Sequence, residues 1–337
     1  MNVLVTGHRG YIGAHLVDVL KAAGHTVTGC DLGLFCGCEW RPAAAPDREW
    51  MCDVRTLELR DLQGFDAICH LAAISNDPMG DVDPQITLAV NRDASIRLAE
   101  LARRAGVGRF LFAGSCSVYG KGETLDLDES AVLHPLSAYA QSKIEAEQAI
   151  APMAGRGFCP VFLRNSTAYG DSPMLRIDLV VNNLLGCALA KGDIRIMSDG
   201  SPWRPLVHCR DIARAFCALL DAPADRVRGV AVNIGGNAEN YQVRDVAAQV
   251  QRLAPQAGVS FTGELGADPR DYRVNFDLLG RILPGFRLRY TLETGMAELH
   301  RSMLAHGFNA ADFDGPRYVR LRTLRGRLDL LNGRRAA

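Results

Sequence analysis

"VLVTGHRGYIG", residues 3–13, runs from apolar and β-branched residues into three glycines, Gly7, Gly10 and Gly13, spaced as GxxGxxG. Val3 to Thr6 predicts a short buried strand. Beyond Gly13 the apolar residues recur at helical spacing as far as Ala23, and Gly24 closes the helix. Glycines at a strand-to-helix turn let the backbone bend tightly and approach a pyrophosphate, which meets free N–H groups at the helix N-terminus. Arg9, Tyr11 and Ile12 fill the loop and join the glycines as candidate cofactor-binding residues. The flanking strand and helix carry the argument, because the glycine spacing alone would turn up about 0.3 times by chance in such a chain.

A second strand, residues 26–30, ends at Asp31. A carboxylate there, ~20 residues past the glycine loop, accepts hydrogen bonds from ribose hydroxyls and repels a 2′-phosphate. NAD is therefore the expected cofactor rather than NADP. Asp53 and Val54 follow the next unit, where an adenine would find a partner. Further apolar runs at residues 67–71, 109–113 and 161–163 alternate with helical patterns at 83–105 and 137–150. Continuous apolar strands between helices mean a parallel sheet covered on both faces. The expected fold is α/β, a doubly wound parallel sheet of the Rossmann type with a smaller mixed α/β substrate lobe. Residues 1–167 and 205–235 form the NAD-binding domain and 168–204 with 236–316 the lobe. Residues 317–337 make an Arg-rich tail, read as a solvated terminal helix rather than a nucleic-acid arm.

Composition narrows the function classes. The 337 residues are 48% hydrophobic and 23% charged with zero formal net charge, which gives no long-range field for nucleic acid or anionic membranes. No apolar run approaches the ~20 residues of a membrane span, and the opening residues lack a leader pattern. Ten cysteines lie scattered from Cys30 to Cys217 without paired spacing, so free thiols in a reducing cytoplasm are expected. Cys36-Gly37-Cys38 stands without a second pair or neighbouring histidines, so no metal is expected.

Only four lysines are present against 34 arginines, which makes the pair Tyr139 and Lys143 in Tyr-Ala-Gln-Ser-Lys more telling. Chance gives about 0.1 such pairs. On a helix, residues four apart share a face, so the ammonium lies beside the phenol. A free tyrosine has a pKa of about 10. A neighbouring cation favours the phenolate and makes it a usable base. Upstream, Ser115, Cys116, Ser117 and Tyr119 crowd the mouth of the strand at 109–113.

Gly7/Gly10/Gly13, Leu71-Ala72-Ala73, Asn91, Ser115 before Val118-Tyr119-Gly120, and Tyr139/Lys143 occur in the order of the extended short-chain dehydrogenases/reductases. The chain resembles that family over roughly residues 1–315. Within it the chain is similar to the NAD-dependent nucleotide-sugar epimerases and dehydratases, the UDP-glucose 4-epimerase-like group. The resemblance implies that Tyr139 takes a proton from a sugar hydroxyl while hydride passes to the nicotinamide. Ser115 bonds the same oxygen, Lys143 holds the nicotinamide ribose, and Asn91 supports the active-site end of its helix. Leu71, Ala72 and Ala73 belong to the cofactor wall.

The 4,6-dehydratases of the family place Asp and Glu where Cys116 and Ser117 stand. Dehydration needs an extra acid and base, whereas a 4-epimerase only returns the hydride to the other face of a keto sugar. Epimerisation is the expected reaction, with a dehydratase using the Cys116 thiol as the alternative. An NAD(P)H-dependent keto-sugar reductase comes third, and a non-catalytic NAD-sensing regulator is the reading from another class.

For a nucleotide-diphosphate sugar, the resemblance offers Arg204, in a segment where Pro205 replaces the usual Asp, and Arg273, preferred over Arg270, as phosphate-binding arginines. It also points to Thr167 or Asn165, the family's Asn having shifted, and to Asn182 beside Asn183. Ser75, Ser117, Asn76, Asp77 and Ser137 stand at strand mouths as candidate hydroxyl contacts. The helices around 91–105 and 137–150 resemble those through which such enzymes form homodimers.

Overall fold

A computed structural model describes residues 1–121, 126–261, 263 and 270–328. Seven parallel strands form the main sheet in the order β10-β6-β5-β4-β1-β2-β3. They are β1 (Asn2–Thr6), β2 (Thr26–Asp31), β3 (Arg48–Met51), β4 (Ala67–His70), β5 (Arg109–Ser115), β6 (Cys159–Asn165) and β10 (Val230–Ile234). β1 pairs with β2 on one side and β4 on the other, Val3 facing both Val27 and Ala67. The chain order reverses there, so a crevice opens at the carboxyl ends of β1 and β4, where doubly wound sheets bind ligands.

Helix α1 (Gly13–Ala22) and the helix Cys209–Asp221 cover one face. Leu16, Val17, Leu20, Phe216 and Leu220 close a core there with Val3, Val5 and Leu163. The other face packs Ile68, Phe110 and Phe112 against Leu98 and Ile150, from the helices Ala94–Arg104 and Ala138–Ile150. The expected helix over 83–105 is broken into α-helical pieces, Pro84–Leu88 and Ala94–Arg104, by a π turn at Ala89–Asp93. Buried Asn91 sits in that turn. Its Oδ1 accepts from Ile74 N at 2.8 Å and its Nδ2 donates to Ile74 O at 3.0 Å. The widened turn aims one side chain at the loop after β4, a common use of such bulges.

A second core gathers Leu175, Ile177, Leu184, Leu206, Val246 and Leu299. A three-stranded sheet, β7 (Thr167–Tyr169), β9 (Trp203–His208) and β11 (Asn240–Gln242), and a parallel pair, β8 (Asp193–Ile196) with β12 (Gly258–Phe261), flank it. β7 and β9 straddle the boundaries expected at 167/168 and 204/205, so the two lobes share strands there. The tail departs from the sequence expectation. The helix Arg320–Arg325 buries Arg320, Thr323 and Leu324 instead of lying in solvent. Residues 329–337 of the predicted tail lie outside the described residues.

Candidate active site

The glycine turn is shaped by close approach. Gly7 has φ +75°, and a Cβ on it would lie 2.7 Å from Ala72 N. A Cβ on Gly13 would meet Gly7 O at 2.1 Å, so a side chain at either position would fill the cradle. Gly7 N donates to Cys30 O at 2.8 Å, tying the turn to the end of β2. There Asp31 Oδ1 accepts from Gly33 N at 2.7 Å and Oδ2 from Arg9 N at 3.2 Å. Asp53, Val54, Leu71, Ala72 and Ala73 line the same crevice, together with Arg9, Gly10, Tyr11 and Ile12. These residues fit a dinucleotide, with a backbone cradle for phosphate and a carboxylate for the ribose. The Arg9 guanidinium is already met by Glu49, Nε to Oε1 at 2.8 Å. Tyr11 is buried and donates to Gly170 O at 2.6 Å, fastening the turn to the second lobe.

The crevice is one end of a cavity of about 1020 Å³. Ser115, Ser117, Tyr139 and Lys143 line its middle. Ser115 ends β5, and its Oγ accepts from Ser117 N at 3.1 Å and Ser117 Oγ at 2.9 Å. Ser137 caps the helix that carries Tyr139 and Lys143, accepting from Ala140 N at 3.1 Å. Burial pushes the Tyr139 phenol up to about 12, with the Asp77 carboxylate adding to it and a bond to Ser115 pulling it down. Lys143 is 3% exposed, with Nζ 4.7 Å from the Phe112 ring centre and 5.8 Å from that of Tyr139. Burial lowers its ammonium to about 7. Behind it His70 bonds Thr6 Oγ1 at 2.6 Å and Ser95 Oγ at 2.8 Å, and burial lowers its pKa to about 3. The imidazole therefore stays neutral beside Lys143.

Cys116 does not stand in that wall. It is 1% exposed, its thiol donates to Arg164 O at 3.2 Å, and burial pushes it up to about 12. This corrects its expected place as an acid or base: the side chain turns into a cluster with Tyr119, Tyr272 and Phe276. Asn91 likewise lies off the cavity, acting through Ile74.

At the far end Ser75, Asn76, Asp77, Ser137, Asn165, Thr167, Arg204 and Arg270 reach the cavity. Asn165 Nδ2 donates to Gly114 O at 3.2 Å, while its buried Oδ1 has no partner among the described residues. Arg204 Nη1 donates to Trp203 O at 2.8 Å, and Arg270 Nη1 bonds Asp77 Oδ2 at 2.7 Å. Two expectations are corrected here. Arg273 stacks on Trp203, 5.0 Å from the ring centre, leaving Arg270 as the cavity arginine of its segment. Asp268 and Pro269 of that segment lie outside the described residues. Asn182 is buried and bonds Gly170 N, Tyr11 Oη and Arg176 O, so Asn183 rather than Asn182 faces the cavity.

Sequence reasoning missed Arg176 and Asp178. Arg176 is buried in the cavity wall, with Nη2 2.6 Å from Asp178 Oδ2 and Nη1 3.2 Å from Ser75 O. An Arg-x-Asp alternation in a loop carries no signal of that kind, since its partner Ser75 is remote in sequence.

Residues 3–235 match the NAD dependent epimerase/dehydratase family. A Bacillus subtilis protein described as an uncharacterised UDP-glucose epimerase is 30% identical over 285 residues, 80% of this chain and 87% of that one. Among solved structures, an NAD-dependent NDP-hexosamine 5,6-dehydratase of tunicamycin biosynthesis superposes with TM-score 0.81 at 26% identity, over 90% of this chain and 98% of that one. MoeE5 in complex with UDP-glucose and NAD gives TM-score 0.77 at 29% identity, over 90% and 99%. With the glycine turn, Asp31 and the helix of Tyr139 and Lys143 on one cavity, the chain belongs to the NAD dependent epimerase/dehydratase family.

Proposed function

We propose that the protein epimerises a nucleotide-diphosphate sugar at carbon 4 through a transient keto sugar. The observation that carries the reading is the composition of the cavity wall. Ser115, Tyr139 and Lys143 share it with the glycine turn. The two positions after Ser115, where elimination would use an acid and a base, hold a buried thiol and a serine hydroxyl. Of the carboxylates near Tyr139, Asp77 and Asp178 are tied to Arg270 and Arg176, and Asp81 accepts from Ala138 N at 3.3 Å.

Tyr139 as phenolate accepts the proton of the sugar hydroxyl, and Ser115 donates a hydrogen bond to the same oxygen. Lys143, when protonated, lowers the cost of the phenolate and holds a ribose hydroxyl of the cofactor. The chemistry that NAD supplies is reversible acceptance of a hydride. After the keto sugar has turned over in the cavity, Tyr139 gives its proton back to the new hydroxyl. Arg204 and Arg270 would hold the diphosphate, with Asn165, Thr167 and Asn183 as amide and hydroxyl partners. Ser75 and Ser117 would contact the sugar.

Elimination of water is the second reading, favoured by the 0.81 TM-score to a 5,6-dehydratase. It requires an acid or base other than Cys116. Incubation of purified protein with UDP-, dTDP- and GDP-hexoses and chromatography of the products separates the two. An epimer is expected, and a keto or unsaturated sugar without epimer would overturn the proposal. A homodimer in a reducing cytoplasm completes the reading.

A further inference from the structure

The chain after Tyr318 folds back onto the cofactor end of the cavity. Val319, Arg320 and Leu321 stand in its wall, in company with Asp31 and Phe35. Three sets of contacts hold them there. Arg320 Nη2 donates to the carbonyls of Met174 and Leu175, each at 3.1 Å, and its guanidinium lies 4.9 Å over the Phe35 ring. Arg327 Nη1 donates to Leu34 O at 2.7 Å and Cys36 O at 3.0 Å. Leu324 is buried with Leu34, Ile74, Met79 and Val90. The segment thus bridges the loop after the ribose carboxylate, the loop after β4 and the 174–178 loop that carries Arg176.

Its charge is unusual. Arg320 is 3% exposed; its guanidinium bonds the carbonyls of Arg317, Met174 and Leu175 and the Cys38 thiol, and the only carboxylate whose charge reaches it among the described residues is Asp178, itself paired with Arg176. No carboxylate pairs with it among the described residues, whereas neighbouring Arg176 is met by Asp178 at 2.6 Å. A guanidinium removed from water without an anionic partner is costly, and a buried cation is normally matched by a charge. Met174 N donates to Ser172 Oγ, which donates to Tyr11 O, so the anchor of Arg320 lies one short loop from the glycine turn. A dinucleotide laid against that turn brings the missing anion, its pyrophosphate.

We propose that three residues of this segment are a built part of the dinucleotide site: Val319 and Leu321 wall its adenosine side, Arg320 directs positive charge at the pyrophosphate, and together they slow NAD release. Slow release suits a reaction that returns its hydride, because the cofactor is regenerated in place and exchange is unnecessary.

The test loads the full-length protein with NAD and follows release into cofactor-free buffer. Arg320→Ala and Leu321→Asp are expected to release NAD at least tenfold faster than the natural chain. Arg322→Ala, on the exposed side of the same helix, is expected to match it. A chain ending at Gly315 is expected to retain no NAD through desalting. If that chain fails to fold, the two point variants decide. Melting of each unliganded variant separates a merely structural role, which would lower stability and leave release unchanged. Release within twofold of the natural chain from both Arg320→Ala and Leu321→Asp overturns the proposal.

Discussion

Lys143 is buried with Tyr139 half-buried beside it, and the loss of water around them sets their chemistry. The folded protein holds Lys143 near pKa 7 against 10.5 for the free side chain, because desolvation disfavours the ammonium. Between those values the unfolded chain binds a proton that the folded one does not, so unliganded stability rises with pH across that window. Below it the folded state bears the full cost of a buried ammonium. Lys143→Met is therefore expected to raise the unliganded melting temperature at pH 6 while abolishing turnover. A fall in melting temperature would contradict the assignment. Cys116→Ala tests the corrected thiol: activity within about threefold of the natural protein is expected, at a packing cost of about 1 kcal/mol. Tyr139 and Lys143 were legible as a cavity pair because residues four apart on a helix share a face, and Ser115 through the family resemblance, and the structure brings all three to one cavity wall. Arg176 was not, since its meaning lies in contacts to Ser75 and Asp178 that only folding creates. Cys116 adjoins Ser115 in sequence, yet the turn after β5 rotates it inward, away from the cavity that Ser115 lines.

The same contrast holds among elements. The strand, glycine turn and helix at the N-terminus read correctly because backbone sterics allow few alternatives there. The helix around Asn91 read as continuous, since apolar periodicity does not register the one extra residue of a π turn. The short helix Asp77–Gly80 gave no periodic signal at all, yet it packs directly on the helix of Tyr139. A Cβ on Gly80 would stand 2.9 Å from Tyr139 Cβ and 3.1 Å from its N. Gly80→Ala must push the two helices apart, and catalysis is sensitive to displacements of that order. The expected outcome is a loss of turnover of about tenfold or more with NAD affinity unchanged, read from single-turnover rates and NAD titration. Unaltered turnover would mean that the helix holding Tyr139 yields without consequence.

At the scale of the molecule, the cavity lies between a parallel sheet and a smaller lobe, and the Arg270–Asp77 pair crosses it. Arg270→Ala is expected to raise KM for the nucleotide sugar about tenfold and to change kcat less, the signature of lost binding rather than lost chemistry. An unchanged KM would remove Arg270 from the substrate site. In solution, a mass near twice the chain's 36.6 kDa is expected for the homodimer, and a mass near 36.6 kDa would contradict it. The overall architecture was legible because apolar strands alternating with helices mean a parallel sheet, and the glycine turn with Asp31 marks it as a doubly wound one. The tail was not, because arginines that usually mean solvent here bond carbonyls inside a wall. Epimerisation by hydride return leaves the carbon-bound hydrogens beside the ketone untouched, whereas elimination exchanges them with solvent. Nucleotide sugars incubated with the protein in deuterated water and followed by NMR should therefore show a changed ratio of carbon-4 epimers without deuterium at the neighbouring carbons. Deuterium at those carbons, or a keto or unsaturated product in place of an epimer, would contradict the account.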